Sequence, residues 1–271
     1  MILIATDLDR TLLPDGPYPD DKSIDNLFVA LSNKQYMLAY VTGRNLSLVQ
    51  DAQKKYGIPT PDYLIAEVGT KIFHKEENTL VPDILWTNYI RTHEPQWNRN
   101  DITDAIGTAH DITMQEDWKQ NEFKISYYLP KNSDKNIALR HIHKSLEHIG
   151  IKADVLYSFD PLKNNVGLID ILPKTATKAT ALEFIRERAH LAKDEVVYCG
   201  DSGNDILPLT NGYRAILVKN APENVQKDVS KRLEKLGIPK EKLYIAHGDY
   251  WQNGNYASGI IEGLRHFGII S

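Results

Sequence analysis

Cysteine is almost missing from this chain, with Cys199 its only copy. An internal disulfide is therefore impossible, and so is a metal site built from several thiolates. Cys199 lies in an apolar run, which suits a small packed residue better than a reactive thiol. Positive charge is not in excess either. The 32 Lys and Arg are outnumbered by 36 Asp and Glu, for a formal net charge of −4, so no basic footprint speaks for nucleic acid. Hydrophobic runs are short, and none approaches the ~20 residues of a membrane span. No basic stretch precedes the first apolar run, as it would in a secretory signal. The expectation is a cytoplasmic protein with neither membrane nor nucleic-acid partners, a monomer being the expected state. Repeats and low-complexity tracts are lacking too. Nine histidines are present, but no pair has metal spacing with carboxylates. His141, His143 and His148 fall on a polar helix face.

What is present is a chain of 271 residues, 42% hydrophobic and 25% charged. That length suits one large or two modest domains with a sizeable core. Apolar runs at Ile2–Thr6, Tyr36–Val41, Tyr63–Glu67 and Glu195–Cys199 read as buried strands. Helical spacing at Asp21–Asn33, Asn45–Tyr56 and Lys178–Ala189 alternates with them, with Asn45 a plausible cap. Strand and helix in alternation imply parallel βαβ units.

The texture changes after about Val81. Asp83–Ile90 and Trp97–Ala109 carry helical spacing with no buried strand between them. Glu122–Leu129 alternates as a half-exposed strand, with Phe123, Ile125, Tyr127 and Leu129 on one face and Lys124, Ser126 and Tyr128 on the other. Asn136–Ile149 is an amphipathic helix using Ile137, Leu139, Ile142 and Leu146, and Asp154–Ser158 and Val166–Leu172 read as further strands. After Lys174 the first pattern returns. The expected fold is an α/β Rossmann-like core, its parallel sheet flanked by helices, with an inserted α+β cap. Residues 1–81 and 174–271 form the expected core and 82–173 the cap.

The polar signatures sit where those strands should end. Asp7 and Asp9, followed by Thr11, follow the first strand. Ligands of a parallel α/β sheet bind outside the carboxyl ends of its strands. Two carboxylates there suit a hard divalent cation, or a division between nucleophile and acid/base. Alone, such a pair is equally a solvated turn. Thr42-Gly43-Arg44 follows the second strand, Lys178 opens a helix, and Gly200-Asp201-Ser202-Gly203-Asn204-Asp205 follows the strand at Glu195–Cys199.

The order and placement of these four motifs resemble the haloacid-dehalogenase superfamily of phosphotransferases. That resemblance implies Mg²⁺ bound by Asp7, the backbone carbonyl of Asp9, and Asp201, with Asp205 either a direct ligand or a partner behind one. It makes Asp7 the nucleophile, Asp9 the acid and then the base, Thr42 a donor to phosphate, and Lys178 the charge neutralising phosphate and Asp7. Asn204 would touch phosphate or a metal-bound water. Gly43 and Arg44 are expected to bind the substrate with Thr42; otherwise Gly43 is a turn residue and Arg44 caps the next turn.

Further stretches resemble sucrose-phosphate phosphatases and their bacterial relatives: Val68–Phe73, Glu122–Tyr127, Asp170–Lys174 and Asn253–Leu264. The likeness covers most of the chain and is weakest over Asp83–Asp117. Two residues depart from the usual pattern: Ala179, where glycine is usual, and Arg10, where a small or amide residue is common. The resemblance implies hydrolysis of a disaccharide phosphate such as sucrose 6-phosphate, a small-molecule sugar phosphate read by the cap. Lys124, Ser126 and Tyr128, with Gln115, Glu116 and Gln120, are the expected sugar-facing groups, unless that face only meets solvent. Tyr128 and Trp118 would either stack on sugar or pack, with packing favoured for Trp118. Other glycosyl or hexose phosphates, a phosphomutase, and a non-catalytic sugar-phosphate-binding regulator are the competing readings.

Overall fold

The computed structural model describes residues 1–108, 111–160, 166–249 and 252–271, without the side chains of residues 159 and 160. In chain order the strands are β1 (Ile2–Thr6), β2 (Tyr36–Val41), β3 (Tyr63–Ala66), β4 (Lys71–Glu76), β5 (Thr79–Pro82), β6 (Thr113–Met114), β7 (Ile125–Leu129), β8 (Ala153–Asp160), β9 (Val166–Pro173), β10 (Val196–Gly200), β11 (Arg214–Leu217) and β12 (Leu243–Ile245). The helices are α1 (Ser23–Leu31), α2 (Leu46–Tyr56), α3 (Ile84–His93), α4 (Arg99–Ile106), α5 (Lys135–His148), α6 (Lys178–Arg188), α7 (Ile206–Leu209), α8 (Glu223–Leu236) and α9 (Tyr256–His266). Among the described residues no helix is long and apolar enough to cross a membrane.

The chain divides into two compact units, Met1–Asp83 with Lys178–Ser271, and Ile84–Thr177. The larger holds an eight-stranded sheet in the order β12-β11-β10-β1-β2-β3-β4-β5. Strands β12 to β3 are parallel, while β4 and β5 run antiparallel at the edge. β1 lies between β10 and β2, with Thr6 beside Cys199 on one side and Tyr40 on the other. A strand covered on both faces has no solvated side, so it reads as a continuous apolar run. Leu3, Ile4 and Ala5 are accordingly all buried. One face carries α1 through Ile24, Leu27 and Leu31, and α9 through Ala257, Ile260 and Leu264, against Ile4, Leu38 and Cys199. The Asn45 side chain caps α2, accepting the Leu48 N–H at 3.0 Å, and Gly57 ends the helix with φ 68°.

The hairpin β4–β5 was not visible as strands in the sequence. Only Ile72 and Phe73 of β4 are buried, and β5, the edge strand beyond it, has no buried residue, so neither leaves an apolar run to read.

The smaller unit is a four-stranded antiparallel sheet in the order β6-β7-β9-β8. Its apolar face packs Ile125, Tyr127, Leu129, Ile169 and Ile171 against α4 and α5. Ala109, the last residue of the expected second helix of this region, lies outside the described residues. Three expectations need correction. Ile137 is 42% exposed; Ala138, Ile142 and Leu146 make the buried face of α5 instead. Ala138, Ile142 and Leu146 recur every four residues along one face, and Ile137, five residues before Ile142, falls off it. Trp118 is 57% exposed and does not pack; the Lys119 ammonium lies 4.8 Å from its ring centroid. The strand expected from Glu122 begins at Ile125, and its polar side is not solvated: Lys124, Ser126, Gln115 and Gln120 are buried. Gln120 closes that side by donating to the carbonyls of Gln115 (3.0 Å) and Ser126 (2.9 Å) and accepting from Ser126 N (2.8 Å).

Candidate active site

Three adjacent strand ends build the site of the larger unit. Asp7 follows β1 and donates its backbone N–H to the Cys199 carbonyl at 2.9 Å. Thr42 follows β2 and donates its N–H to Ile65 O at 2.8 Å. Asp201 follows β10. From α6, Lys178 projects inward, and its residue is only 1% exposed. Its Nζ donates to Asp7 Oδ1 (2.7 Å), Asp205 Oδ1 (2.8 Å) and Asn204 Oδ1 (3.0 Å). Asp7, Asp201 and Asp205 are all buried, and each can offer a carboxylate oxygen within 4.8 Å of the other two.

Asp205 is anchored on all sides. Its Oδ1 also accepts the Tyr198 hydroxyl at 2.6 Å, and its Oδ2 accepts Asp201 N (3.2 Å), Ser202 N (3.0 Å) and Ser202 Oγ (3.1 Å). Gly200 makes this approach possible: a Cβ there would stand 2.6 Å from Asp205 Cβ. Asp201 accepts the Thr11 hydroxyl at 3.1 Å and pairs with Arg10 Nε at 3.6 Å.

Burial sets the electrostatics. It pushes the Asp7 carboxyl well above its usual range against the pull of Lys178, with Asp205 and Asp201 adding to the rise. Burial beside Asp205 pushes Asp201 up to about 7. For Asp205, burial is outweighed by Lys178 and the surrounding donors, which hold it below the usual carboxylate range. The Lys178 ammonium is raised by Asp205 and Asp7 despite burial.

Arg44 faces the site. Its Nε donates to both oxygens of Asp9, at 2.8 and 3.1 Å, and its Nη2 donates to Asp9 Oδ1 and, at 3.1 Å, to Asp15 Oδ2. Burial raises the Asp9 carboxyl, but the Arg44 hydrogen bonds outweigh it, and Asp9 is held low. Asp15 is pushed up to about 7 by burial and its Asp9 neighbour. Thr42 is buried, its hydroxyl accepting Arg44 N at 3.1 Å. Gly43 lies in the exposed turn between them.

The C-terminal stretch braces the loop after Asp9. Asn253 and Asn255 donate to Pro19 O (2.8 and 3.3 Å), and Asn220 joins Tyr256 N (2.9 Å) to Arg10 O (2.7 Å). Sequence reading missed Tyr198, Ser202, Asp15 and Asn220. Ser202 lies inside a quoted motif, but Tyr198 in an apolar run reads only as core.

Glu116 and Lys124 belong to the smaller unit and make separate pairs. Lys124 Nζ lies 3.9 Å from Asp170 Oδ1. Glu116 Oε2 accepts Lys119 at 2.9 Å and the Tyr128 hydroxyl at 2.8 Å.

Comparison with known proteins gives consistent likenesses. The profile of the sucrose-6F-phosphate phosphohydrolase family matches residues 1–268. A HAD-like hydrolase of Nitrosococcus oceani is 36% identical over 98% of this chain and 71% of its own length. The mannosylfructose-phosphate phosphatase of Agrobacterium fabrum is 29% identical over 98% of this chain and 97% of its own length. The solved sucrose-phosphatase of Synechocystis sp. PCC6803, in complex with sucrose and phosphate, aligns at TM-score 0.82 and 25% identity, covering 100% of this chain and 99% of that one. Plant sucrose-phosphatases that match are longer, and the chain spans 51% to 60% of their length.

Proposed function

The chain belongs to the sucrose-6F-phosphate phosphohydrolase family of phosphoric monoester hydrolases, and on that premise we propose that it is a Mg²⁺-dependent phosphatase of a disaccharide phosphate, sucrose 6-phosphate first among them. One observation carries this reading: Asp7 stands at the end of β1 with Lys178 Nζ 2.7 Å away and the carboxylates of Asp201 and Asp205 beside it.

The donor set fits a hard dication. Among the described residues three buried carboxylates face one buried ammonium, and burial, with the neighbouring carboxylates, drives Asp7 and Asp201 toward protonation. Asp7, Asp201 and the Asp9 carbonyl would hold Mg²⁺, whose charge lets a carboxylate approach a phosphate dianion. Asp205, with both oxygens occupied by donors, orients Lys178 instead.

Asp7 attacks phosphorus as the bond from phosphorus to the sugar oxygen breaks, leaving an aspartyl-phosphate. Asp9 gives the departing oxygen its proton. The incoming dianion opposes Arg44 and raises Asp9 toward the protonated form this step needs. Asp9 then takes a proton from the water that cleaves the intermediate. Lys178, the Thr42 hydroxyl and the Asn204 amide neutralise and hold the phosphate oxygens. Gly43 keeps the turn open, and Arg44 meets the phosphate only through Asp9.

A phosphate-release panel over sucrose 6-phosphate, mannosylfructose phosphate, glycosyl-glycerate phosphate and hexose phosphates, with and without Mg²⁺, tests the reading. Mannosylfructose phosphate is the second substrate to expect, given the Agrobacterium likeness. Turnover that frees no phosphate and needs a bisphosphate activator would make the protein a mutase. Tight binding without turnover would make it a regulator.

Asp201→Ala should raise the Mg²⁺ concentration for half-maximal activity at least tenfold, about 1.4 kcal/mol. An unchanged Mg²⁺ titration would move the metal elsewhere. Sugar recognition is assigned to Lys124 and Glu116 of the smaller unit. A site that hydrogen-bonds a hydroxyl leaves buried polar groups unpaired when it is absent. Lys124→Ala and Glu116→Ala should each lower kcat/KM for the best disaccharide phosphate about tenfold, with little change on a small aryl phosphate. Equal loss on both substrates would place the sugar elsewhere.

A further inference from the structure

The loop after Asp9 doubles back on it. Asp15 uses both carboxylate oxygens in the turn: Oδ1 accepts the Arg10 backbone N–H at 2.7 Å, and Oδ2 accepts Arg44 Nη2 at 3.1 Å. Arg10 sits at φ 60°, a left-handed conformation that a non-glycine side chain adopts at a cost, so this N–H needs a fixed acceptor. Arg44 in turn grips both oxygens of Asp9 through Nε. Its remaining Nη1 donates to Leu48 O at 3.3 Å. Nε and Nη2 are thus committed to the loop and Nη1 to α2, and a planar bidentate fork fixes a carboxylate's plane as well as its distance.

We propose that Asp15 is a positioning residue for the acid/base Asp9, acting through Arg44, and that Arg44 aims Asp9 and is not a ligand of the substrate phosphate. This rests on the phosphatase reading above and on Asp9 as its proton donor and acceptor. Asp15 shares the Nη2 of Arg44 with Asp9, and at the same time closes the backbone turn that carries Asp9. Without it, the fork can swing and the Asp9 carboxyl loses its direction toward the leaving oxygen. A misdirected acid harms the chemical step and spares ground-state binding.

The test is a double-mutant cycle in the full-length enzyme with Mg²⁺, on whichever disaccharide phosphate the release panel shows to be turned over. Asp15→Asn keeps shape but leaves one accepting oxygen where two are used, so it cannot hold both the Arg10 N–H and Arg44 Nη2. It should lower kcat at least about fivefold, with KM and the inhibition constant of inorganic phosphate within about twofold and the melting temperature within about 2 °C. In an Arg44→Lys background, where the fork is already gone, the same substitution should cost less than about twofold, since residues acting in one chain are not additive. The proposal is overturned if kcat stays within about twofold of wild type, if phosphate inhibition weakens in step with kcat, or if the two losses multiply. Asp15→Ser is carried in parallel and read by the same criteria, so that a misfolded amide variant does not end the test. Asp9→Asn separates the levels: if it keeps kcat, the acid/base reading itself is wrong. If it loses kcat and the Asp15 variants do not, only the positioning role is lost.

Discussion

Asp7→Asn is expected to abolish phosphate release and leave the protein folded. The amide has no lone pair able to attack phosphorus as a carboxylate does, so kcat on any phosphomonoester should fall by at least about a thousandfold, ~4 kcal/mol. Folding should survive for a reason visible in the charge balance. Asp7 is one of three buried carboxylates around a single ammonium, and burial already drives it toward the neutral form. The amide is neutral, and its oxygen can still accept from Lys178, which keeps its bond to Asp205 at 2.8 Å. Thermal unfolding in the absence of Mg²⁺ should therefore be unchanged or slightly raised. Stopped turnover with the melting temperature retained is the expected pair of results. A variant with more than about a tenth of wild-type kcat would remove the nucleophile from Asp7.

The parts of this protein legible in the sequence share one physical property. β1, β2 and α2 lie where apolar runs and a capping Asn45 put them, because strands covered on both faces and helices with one buried face leave periodic traces. The motif residues were legible because Asp7, Thr42 and Asp201 stand at the ends of such runs and Lys178 opens a helix. What escaped is what leaves no trace of that kind. β4 lies between β3 and the edge strand β5 and has only two buried side chains. Tyr198 is a hydrogen-bond donor hidden among core residues. Ile137 and Trp118 are apolar yet exposed; the buried row of α5 runs through Ala138, a small residue that marks the face less plainly than its isoleucine neighbour. The polar side of β7 read as half-exposed, facing sugar or else solvent, because Gln120, which bonds the backbone of Ser126, sits outside the strand. Arg44 could be assigned to neither face until Asp15, six residues past Asp9, closed on it.

The last expectation concerns stability. Lys178→Ala should destabilise the metal-free protein by about 3–5 kcal/mol, the usual cost of stripping one partner from a buried ion pair. The residue is 1% exposed, so water cannot replace the ammonium, and no described cation other than Arg10, 3.6 Å from Asp201, stands close to the carboxylates. Asp205 would suffer most. Its carboxylate is held ionised by Lys178 together with Tyr198 and Ser202, and without the ammonium those neutral donors must carry the charge alone. Asn204 also loses the Nζ that its Oδ1 accepts at 3.0 Å. The loss should shrink when Mg²⁺ is added, since a bound dication supplies the missing charge and stabilises only the folded state. Urea unfolding with chelator and then with Mg²⁺, on Lys178→Ala and wild type, measures both quantities. A deficit under about 1 kcal/mol with chelator, or a deficit that Mg²⁺ leaves untouched, would mean that Lys178 is not the counter-ion of the acidic cluster. Activity should be lost under either salt condition, because the dication cannot also take the place of the ammonium that aims Asp7 at phosphorus.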